Sequence, residues 1–99
     1  MRLKVKRLPE FNDWLDGIKD PMTKARLARR LDKVQLGNLG DIAPIGEGVS
    51  EMREHFGAGW RMYCVQHGDI LVVMLGGGTK HTQQRDIKKA IALSKTLEF

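Results

Sequence analysis

The chain has 99 residues and carries 17 lysines and arginines against 12 acidic residues, which gives a net charge of +5 and a pI near 9.7. A chain of this length can bury one modest core, so we expect a single domain over residues 1–99, and the positive balance favours an anionic partner. One cysteine excludes an internal disulfide, and no apolar run is long enough for a membrane helix or a signal peptide, so the sequence predicts a cytoplasmic protein without a membrane partner.

The first twenty residues predict a strand followed by a helix. Charged and apolar side chains alternate over residues 2–8, which is typical of a half-buried strand that ends at Pro9. The next segment repeats apolar residues at spacings of three and four, which indicates an amphipathic helix ending near Lys19. The core side of this helix should be formed by Phe11, Trp14, Leu15 and Ile18.

A second helix is predicted to begin at Asp20 and Pro21. Aspartate is favourable as an N-cap residue, proline is favourable at the first helical position, and Gly37 ends the pattern. The two helices should form a hairpin, and the apolar side of the second consists of Leu27, Ala28, Leu31 and Val34. The other side is interpreted as a solvated basic face that exposes Lys24, Arg26, Arg29, Arg30 and Lys33.

Three strands and a helix complete the predicted fold. Residues 38–48 are rich in glycine and predict a loop, whereas residues 49–56, 60–67 and 70–75 predict strands joined by short turns. The last strand is apolar throughout, as expected for a strand covered on both faces. The order βααβββα predicts an α+β fold, in which a helical hairpin and a C-terminal helix cover a four-stranded, mostly antiparallel sheet. That C-terminal helix should pack through Ile87, Ala90, Ile91 and Leu97.

The stretch GGGTKHTQQRD, residues 76–86, lies where a strand gives way to a helix. It is neither a Walker A loop, because no glycine directly precedes Lys80, nor a Rossmann turn, because the third glycine is missing. With Thr82 as N-cap, the free N–H groups of the first helical turn and Lys80 could bind a phosphodiester. The alternative is a glycine-permitted turn with ordinary capping.

Arginines occupy two neighbouring predicted strands. The strand period of two places Glu51 and Arg53 on one face, and Arg61 lies on the adjacent strand, so the two arginines can approach each other. Either Glu51 and its neighbours neutralise them, or an external anion does.

The histidines and the cysteine indicate no metal site. His55, His67 and His81 lack any metal-ligand spacing, and Cys64 lies inside a strand-like run, where a small buried side chain is expected. We therefore expect neither a metal nor another cofactor.

The chain resembles a known toxin family. The residues that carry the likeness are Glu51, Met52 and Arg53, then Gly59, Trp60 and Arg61, then Lys80, and finally residues 86–90. In this order and spacing they resemble the RelE/ParE superfamily, and within it the phage-derived, HigB-like "addiction module killer" toxins. The N-terminal strand and helical hairpin also fit, so the likeness covers nearly the whole chain.

This resemblance implies a RelE-like fold and the toxin of a type II toxin–antitoxin system. The enzymatic branch of the superfamily consists of metal-independent endoribonucleases, or mRNA interferases, that cut messages on the ribosome and arrest growth. The implied partners are a small helix-turn-helix antitoxin from the adjacent gene, messenger RNA on the ribosome and, for the toxin–antitoxin complex, operator DNA.

The resemblance also implies a site. RNA cleavage needs a base for the ribose 2′-OH, cations for the charge on the phosphate and an acid for the leaving 5′ oxygen. By position, Arg61 and Arg53 would stabilise charge and Lys80 and His81 would act as base or acid. Weaker candidates for acid–base catalysis are His55 and Tyr63, and the implied RNA-binding residues are Lys80, Thr82, Arg85 and Lys88.

Two other functions stay open. RNA-cleaving relatives place a tyrosine near the C-terminus, whereas the one tyrosine here is Tyr63 and the last residue is Phe99. The resemblance is therefore also compatible with a ParE-type gyrase inhibitor, which binds a protein and cleaves nothing. The basic composition alone would suit a nucleic-acid-binding module of a prophage.

Overall fold

The computed structural model describes residues 2–99 and has an α+β architecture, as the sequence predicts. No helix in this part of the chain is both long and apolar enough to cross a membrane. The helices are α1 (Pro9–Asp16), α2 (Pro21–Gln35) and α3 (Gln83–Ser94), and a short 3-10 turn (Lys80–Thr82) leads into α3. The strands are β1 (Lys4–Arg7), β2 (Ile42–Gly46), β3 (Val49–Arg53), β4 (Trp60–His67) and β5 (Leu71–Thr79).

The five strands form one mostly antiparallel sheet in the order β1-β5-β4-β3-β2. The β1–β5 pair is parallel, whereas β5–β4, β4–β3 and β3–β2 are antiparallel. Arg53 is directly opposite Arg61 across the β3–β4 pair, so their Cα atoms are neighbours in the sheet as expected. The strand order places β4 and β5 inside the sheet and β1 and β2 at its edges.

The predicted loop over residues 38–48 is wrong in part, because it contains β2, and the sheet has five strands rather than four. Pro44 is tolerated in β2 because this is an edge strand with a register shift between Pro44 and Gly46. The turn into β3 has positive φ at Gly46 (117°), Glu47 (52°) and Gly48 (81°). The turn residues that suggested a loop therefore form an edge strand and its hairpin.

The sheet has a core on each face. The helical hairpin packs on one face, where Phe11, Leu15, Leu27, Leu31 and Val34 are buried and Trp14 is half-buried, which confirms the predicted packing. On the other face, α3 packs over a second cluster that includes Tyr63, Val73, Leu75 and Ala90. The apolar run in β5 is thus covered on both faces, as predicted.

The glycine-rich turn predicted after residue 75 is instead the second half of β5. Residues 76–79 pair with β4 from Tyr63 back to Trp60. A Cβ atom at Gly77 would collide with the Trp14 ring, and one at Gly78 would collide with the Asp86 carboxylate. These two glycines therefore let α1 and α3 approach the strand closely from opposite faces.

Candidate functional site

An open groove lies between the β3–β4 turn and the end of β5, and we call it the central groove. It brings together Arg61, Lys80 and His81, three of the four predicted catalytic residues. Gly59 has a φ of 74°, and a Cβ atom there would lie 3.2 Å from the Cβ of Lys80. The tight turn therefore lets the backbone pass close to Lys80. The full lining consists of Glu54, His55, Gly57, Ala58, Gly59, Arg61, Lys80 and His81.

Arg61 forms part of the wall of the central groove and is held from several sides. Its Nη1 donates to the carbonyl oxygens of Glu54 and Trp60, each at 3.2 Å. Its Nε lies 3.8 Å from Glu51 Oε1, and only 10% of the side chain is exposed. The Nε–H is buried and has no hydrogen-bond partner among residues 2–99. The guanidinium is therefore fixed in position before any ligand arrives.

Glu51 links Arg61 to α3. The carboxylate is buried, and its Oε2 accepts a 2.8 Å hydrogen bond from Gln83 Nε2 at the start of the helix. An anionic side chain with this burial requires compensation, which Arg61 and Gln83 supply. Of the two arginines, Arg61 is therefore the one that Glu51 faces, at 3.8 Å, while its side chain also lines the central groove.

Tyr63 lies directly opposite Glu51 across the β3–β4 pair and is fully buried. Burial, and then the negative charge of Glu51, raise the pKa of its hydroxyl well above the ordinary value. Tyr63 therefore stays protonated and cannot contact a substrate in the central groove. This position argues against the acid–base role that the sequence left open for it.

Arg53, the fourth predicted catalytic residue, does not line the central groove and instead contacts Asp41. Its Nη2 donates to Asp41 Oδ1 at 3.0 Å, and Asp41 Oδ2 lies 2.6 Å from His55 Nε2. The hydrogen bonds from His55 and then Arg53 lower the pKa of Asp41 below its ordinary value. Asp41 follows a glycine in a predicted loop, so no sequence pattern connected it with the site. The structure reveals a surface Asp–His–Arg cluster beside the central groove.

A second groove continues from the central groove along α2, and we call it the α2 groove. The two grooves share Glu54 and His55, and so form one continuous depression. Among its lining residues, Arg26, Arg29 and Lys33 are exposed on α2. The Arg26 guanidinium carbon lies 3.9 Å from the centre of the Phe56 ring, in a cation–π contact. The full lining consists of Arg26, Arg29, Arg30, Lys33, Asn38, Gly40, Asp41, Arg53, Glu54 and His55.

Arg30 corrects the prediction of a uniformly solvated basic face on α2, because it is buried and only 8% exposed. It donates to the carbonyl oxygens of Leu39 and Asp41 at 2.9 Å and of Arg53 at 2.8 Å, and it forms an ion pair with Glu54. One side chain thus binds α2 to the segment before β2 and to the end of β3. A single basic residue with this role cannot be distinguished by spacing from its exposed neighbours.

The four predicted RNA-binding residues do not share one surface. Lys80 lines the central groove, whereas Thr82 and Arg85 line a separate groove between α1 and α3. Lys88 is exposed on α3 and lines neither the central nor the α2 groove. Thr82 precedes α3, as predicted, but its hydroxyl donates to Asp86 rather than capping the helix.

The remaining titratable groups suggest no further chemistry. Burial raises the pKa of the Cys64 thiol to about 12, although the charge of Arg30 acts in the opposite direction. The thiol therefore stays protonated, as expected for a small buried side chain. Over residues 2–99 no group of three or more histidine, cysteine, aspartate or glutamate side chains is placed to hold a metal ion.

Comparisons with known proteins find a relative by sequence and similar solved structures. No protein-family model matches the chain. An uncharacterized protein of Haemophilus influenzae is 37% identical over 97 residues, which cover 98% of both chains. A free-state mutant of the Escherichia coli toxin RelE matches with a TM-score of 0.73 and 9% identity, over 98% of this chain and 100% of that chain.

Another similar structure is the toxin–antitoxin complex RelBE2 of Mycobacterium tuberculosis. One of its chains matches with a TM-score of 0.67 and 15% identity, over 81% of this chain and 100% of that chain. At these identities the two likenesses show a shared fold. The expectation of a RelE-like fold is therefore confirmed.

Proposed function

Because the chain belongs to the same family as the Haemophilus influenzae protein and has the fold of RelE, we propose that it is the toxin of a type II toxin–antitoxin system. We propose further that it is an endoribonuclease that cleaves messenger RNA on the ribosome. The observation that supports cleavage is the convergence of Arg61, Lys80 and His81 in the central groove. Cationic and titratable groups of this kind suit a phosphodiester substrate.

The chemistry proposed for the central groove is transfer within the RNA backbone. A ribose 2′ oxygen attacks the adjacent phosphorus and loses its proton to a base, and the 5′ oxygen leaves with a proton from an acid. The products are a 2′,3′-cyclic phosphate and a 5′ hydroxyl. Arg61 and Lys80 would stabilise the charge on the phosphate oxygens, since both are basic side chains that line the central groove.

Two histidines that line the central groove are candidates for the proposed proton transfers. His81 is exposed at the end of β5, where it lines the central groove beside Lys80. His55 lines the same groove, and Asp41 holds one of its ring nitrogens at 2.6 Å. A carboxylate in this position orients an imidazole. We propose His55 and His81 as the acid–base pair, with Lys80 as the alternative to His81.

The path of the RNA would continue into the α2 groove. Arg26, Arg29 and Lys33 are exposed there, and the α2 groove is continuous with the central groove through Glu54 and His55. A row of cations beside a catalytic groove suits the phosphates of a single strand. In this proposal the basic face of α2 replaces Thr82, Arg85 and Lys88 as the main binding surface for RNA.

The proposed protein partner is an antitoxin. One similar structure is a chain of a toxin–antitoxin complex, which supports this proposal by analogy of fold. The antitoxin would silence the toxin, and we propose that the complex binds operator DNA.

A gyrase inhibitor of the ParE type is the second candidate. Burial of Tyr63 favours it, because the chain then offers no accessible tyrosine for catalysis. This candidate acts by binding a protein, and the same basic surface would contact gyrase instead of RNA.

The test is a defined translation mixture with purified protein, in which the 5′ ends of the message are mapped. We expect new ends that carry a 5′ hydroxyl, and Lys80→Ala should slow cleavage by about 10²-fold or more, as for other electrostatic stabilisers. Lys4→Ala, at an exposed lysine of β1, is the control and should cleave normally. Intact messages together with cleaved DNA trapped on gyrase would establish the ParE-type function instead.

A further inference from the structure

A third groove, between α1 and α3, takes no part in the proposed cleavage, and we call it the glycine groove. Its floor is formed by residues 75–79 of β5. One wall consists of Glu10 and Trp14 from α1, and the other includes Arg85, Lys89 and Leu93 from α3. Gly76 and Gly77 are half-buried, so the floor is accessible from solvent.

The floor of the glycine groove is a strand edge that has no partner strand within the described chain. β1 pairs with β5 only from Leu71 to Met74, because the chain leaves the sheet at Leu8 to begin α1. The Thr79 N–H donates to Thr82 Oγ1 at 3.2 Å, which places it on the side of β5 away from β4. Backbone groups alternate along a strand, so the N–H and C=O of Gly77 point to this same edge.

No backbone group of α1 or α3 hydrogen-bonds to Gly77 within the described chain. A strand edge of this kind is a template for a further strand, since an extended peptide can supply both a donor and an acceptor. The place that β1 leaves free beside β5 therefore offers the Gly77 N–H and C=O to an extended segment.

The walls of the glycine groove determine the side chains of that segment. Successive side chains of an added strand would point alternately toward α1 and toward α3. The α1 wall offers the ring of Trp14, while the negative charge of Glu10 disfavours an acidic side chain there. The α3 wall offers Lys89, which is exposed, and Arg85, whose side chain is 77% exposed although its Nε lies 3.5 Å from Asp86 Oδ1. Apolar side chains thus suit the α1 wall and acidic side chains the α3 wall.

We propose that the glycine groove binds an extended segment of the antitoxin, in which apolar and acidic residues alternate, as an additional strand beside residues 75–79. The identity of the partner rests on the proposed function. The chemistry of the segment follows from the groove itself, and its binding is measurable without any toxin activity.

The test measures binding of a fluorescein-labelled, capped octapeptide of alternating glutamate and valine to the full-length protein by fluorescence anisotropy. We expect saturable binding that protects the Gly77 amide from hydrogen exchange. The same peptide with alternate backbone nitrogens methylated should bind at least about tenfold more weakly, because it cannot pair with the strand edge. A lysine–valine peptide of equal length should also bind more weakly.

Two variants test the location with matched controls. A Cβ atom at Gly76 meets no atom within 4 Å, so Gly76→Val adds bulk to the floor without a clash and should weaken binding by about tenfold. Ala92→Val adds the same bulk to an exposed position of α3 and should bind normally. Lys89→Glu should weaken binding, whereas Lys4→Glu, which makes the same charge change on β1, should weaken it far less.

Absence of saturable peptide binding would overturn the inference, and so would unchanged binding by Gly76→Val. Protection of Gly77 by a single-stranded RNA rather than by the peptide would overturn it as well. The translation assay is read separately. If the protein binds the peptide but cleaves no message, only the proposed function is wrong. If it cleaves messages but does not bind the peptide, only this inference is wrong.

Discussion

Arg30 shows how one side chain can connect three segments of the chain. Its guanidinium donates hydrogen bonds to the carbonyl oxygens of Leu39, Asp41 and Arg53 and forms an ion pair with the carboxylate of Glu54. Gly40 is close enough that a Cβ atom there would lie 3.0 Å from Arg30 Nη2. The position of Asp41, and through it of Arg53 and His55, thus depends on a residue of α2 that never reaches the central groove.

Replacement of Arg30 should therefore be costly. Arg30→Ala leaves Glu54 without its partner and removes a donor from three carbonyl oxygens, of which that of Asp41 still accepts the Arg53 N–H, so we expect the free energy of unfolding to fall by about 3 kcal/mol. Arg29→Ala removes the neighbouring, exposed arginine and should change stability by at most about 0.5 kcal/mol. Urea denaturation of both variants provides the measurement. Equal losses in the two variants would contradict the role described for Arg30.

The Asp41–His55 contact gives a prediction for pH dependence. The pKa of Asp41 should lie below its ordinary value of 3.8, and His55→Ala should raise it, because the hydrogen bond from His55 is the largest cause of the shift. A lowered folded-state pKa means that the unfolded chain binds more protons. The contribution of Asp41 to stability is therefore complete above its ordinary pKa and is lost as the pH falls through the lowered value.

Carbon-detected NMR titration of the side-chain carboxyl groups measures this shift residue by residue. Asp20 is a suitable internal control, because its pKa is lowered chiefly by a hydrogen bond from Thr23 and not by His55. In His55→Ala the Asp41 titration should move and that of Asp20 should not. Movement of both, or of neither, would show that the His55 contact does not hold in solution.

At the scale of elements, β5 determines how closely the helices approach the sheet. Trp14 of α1 occupies the space above Gly77 on one face, and Asp86 of α3 occupies the space above Gly78 on the other. Gly76 has open space instead. Three successive glycines thus have different tolerances for a side chain, although they are indistinguishable in the sequence.

Alanine substitutions should rank the three glycines by stability. Gly77→Ala and Gly78→Ala introduce a clash and should each lower the free energy of unfolding by about 1–3 kcal/mol. Gly76→Ala should leave stability unchanged or raise it by up to about 1 kcal/mol, because it restricts the unfolded chain without a clash. Thermal denaturation measures all three. Combining Gly77→Ala with Trp14→Ala should cost less than the sum of the single changes, and strict additivity would argue against their contact.

At the scale of the whole molecule, two separate groove systems are lined by several basic side chains. The α2 groove and the central groove form one continuous basic depression, whereas Arg85 and Lys89 lie on the wall of the glycine groove. We expect these surfaces to serve different partners, RNA on the first and an acidic segment of the antitoxin on the second.

The salt dependence of RNA binding should identify the first surface. Arg26, Arg29 and Lys33 changed together to glutamate should weaken binding of single-stranded RNA and reduce the slope of log affinity against log salt by about 2, since each lost phosphate contact on a single strand contributes about 0.7. Lys4, Lys6 and Lys19 changed to glutamate make the same change in net charge elsewhere. If both triple variants lose the same slope, net charge rather than the α2 groove governs binding.

Local patterns predicted the parts of the molecule that depend on neighbours in the sequence. Asp20 and Pro21 open α2 because an N-cap carboxylate and a fixed φ act within one turn, and Asp20 does accept a hydrogen bond from the Met22 N–H. The apolar spacings of α1 and α2 predicted the core side of the hairpin. The unbroken apolar run of β5 predicted a strand covered on both faces.

The sequence by itself thus determined the class of the fold and the order of most elements, whereas only a family resemblance grouped Arg61, Lys80 and His81. Only the tertiary structure showed that Arg30 is buried, that Asp41 holds Arg53 and His55, and that residues 42–46 form an edge strand. The physical reason is the range of the interactions. Periodicity and capping act within a few residues, whereas these ion pairs and strand pairings join residues that are neighbours only after the chain has folded.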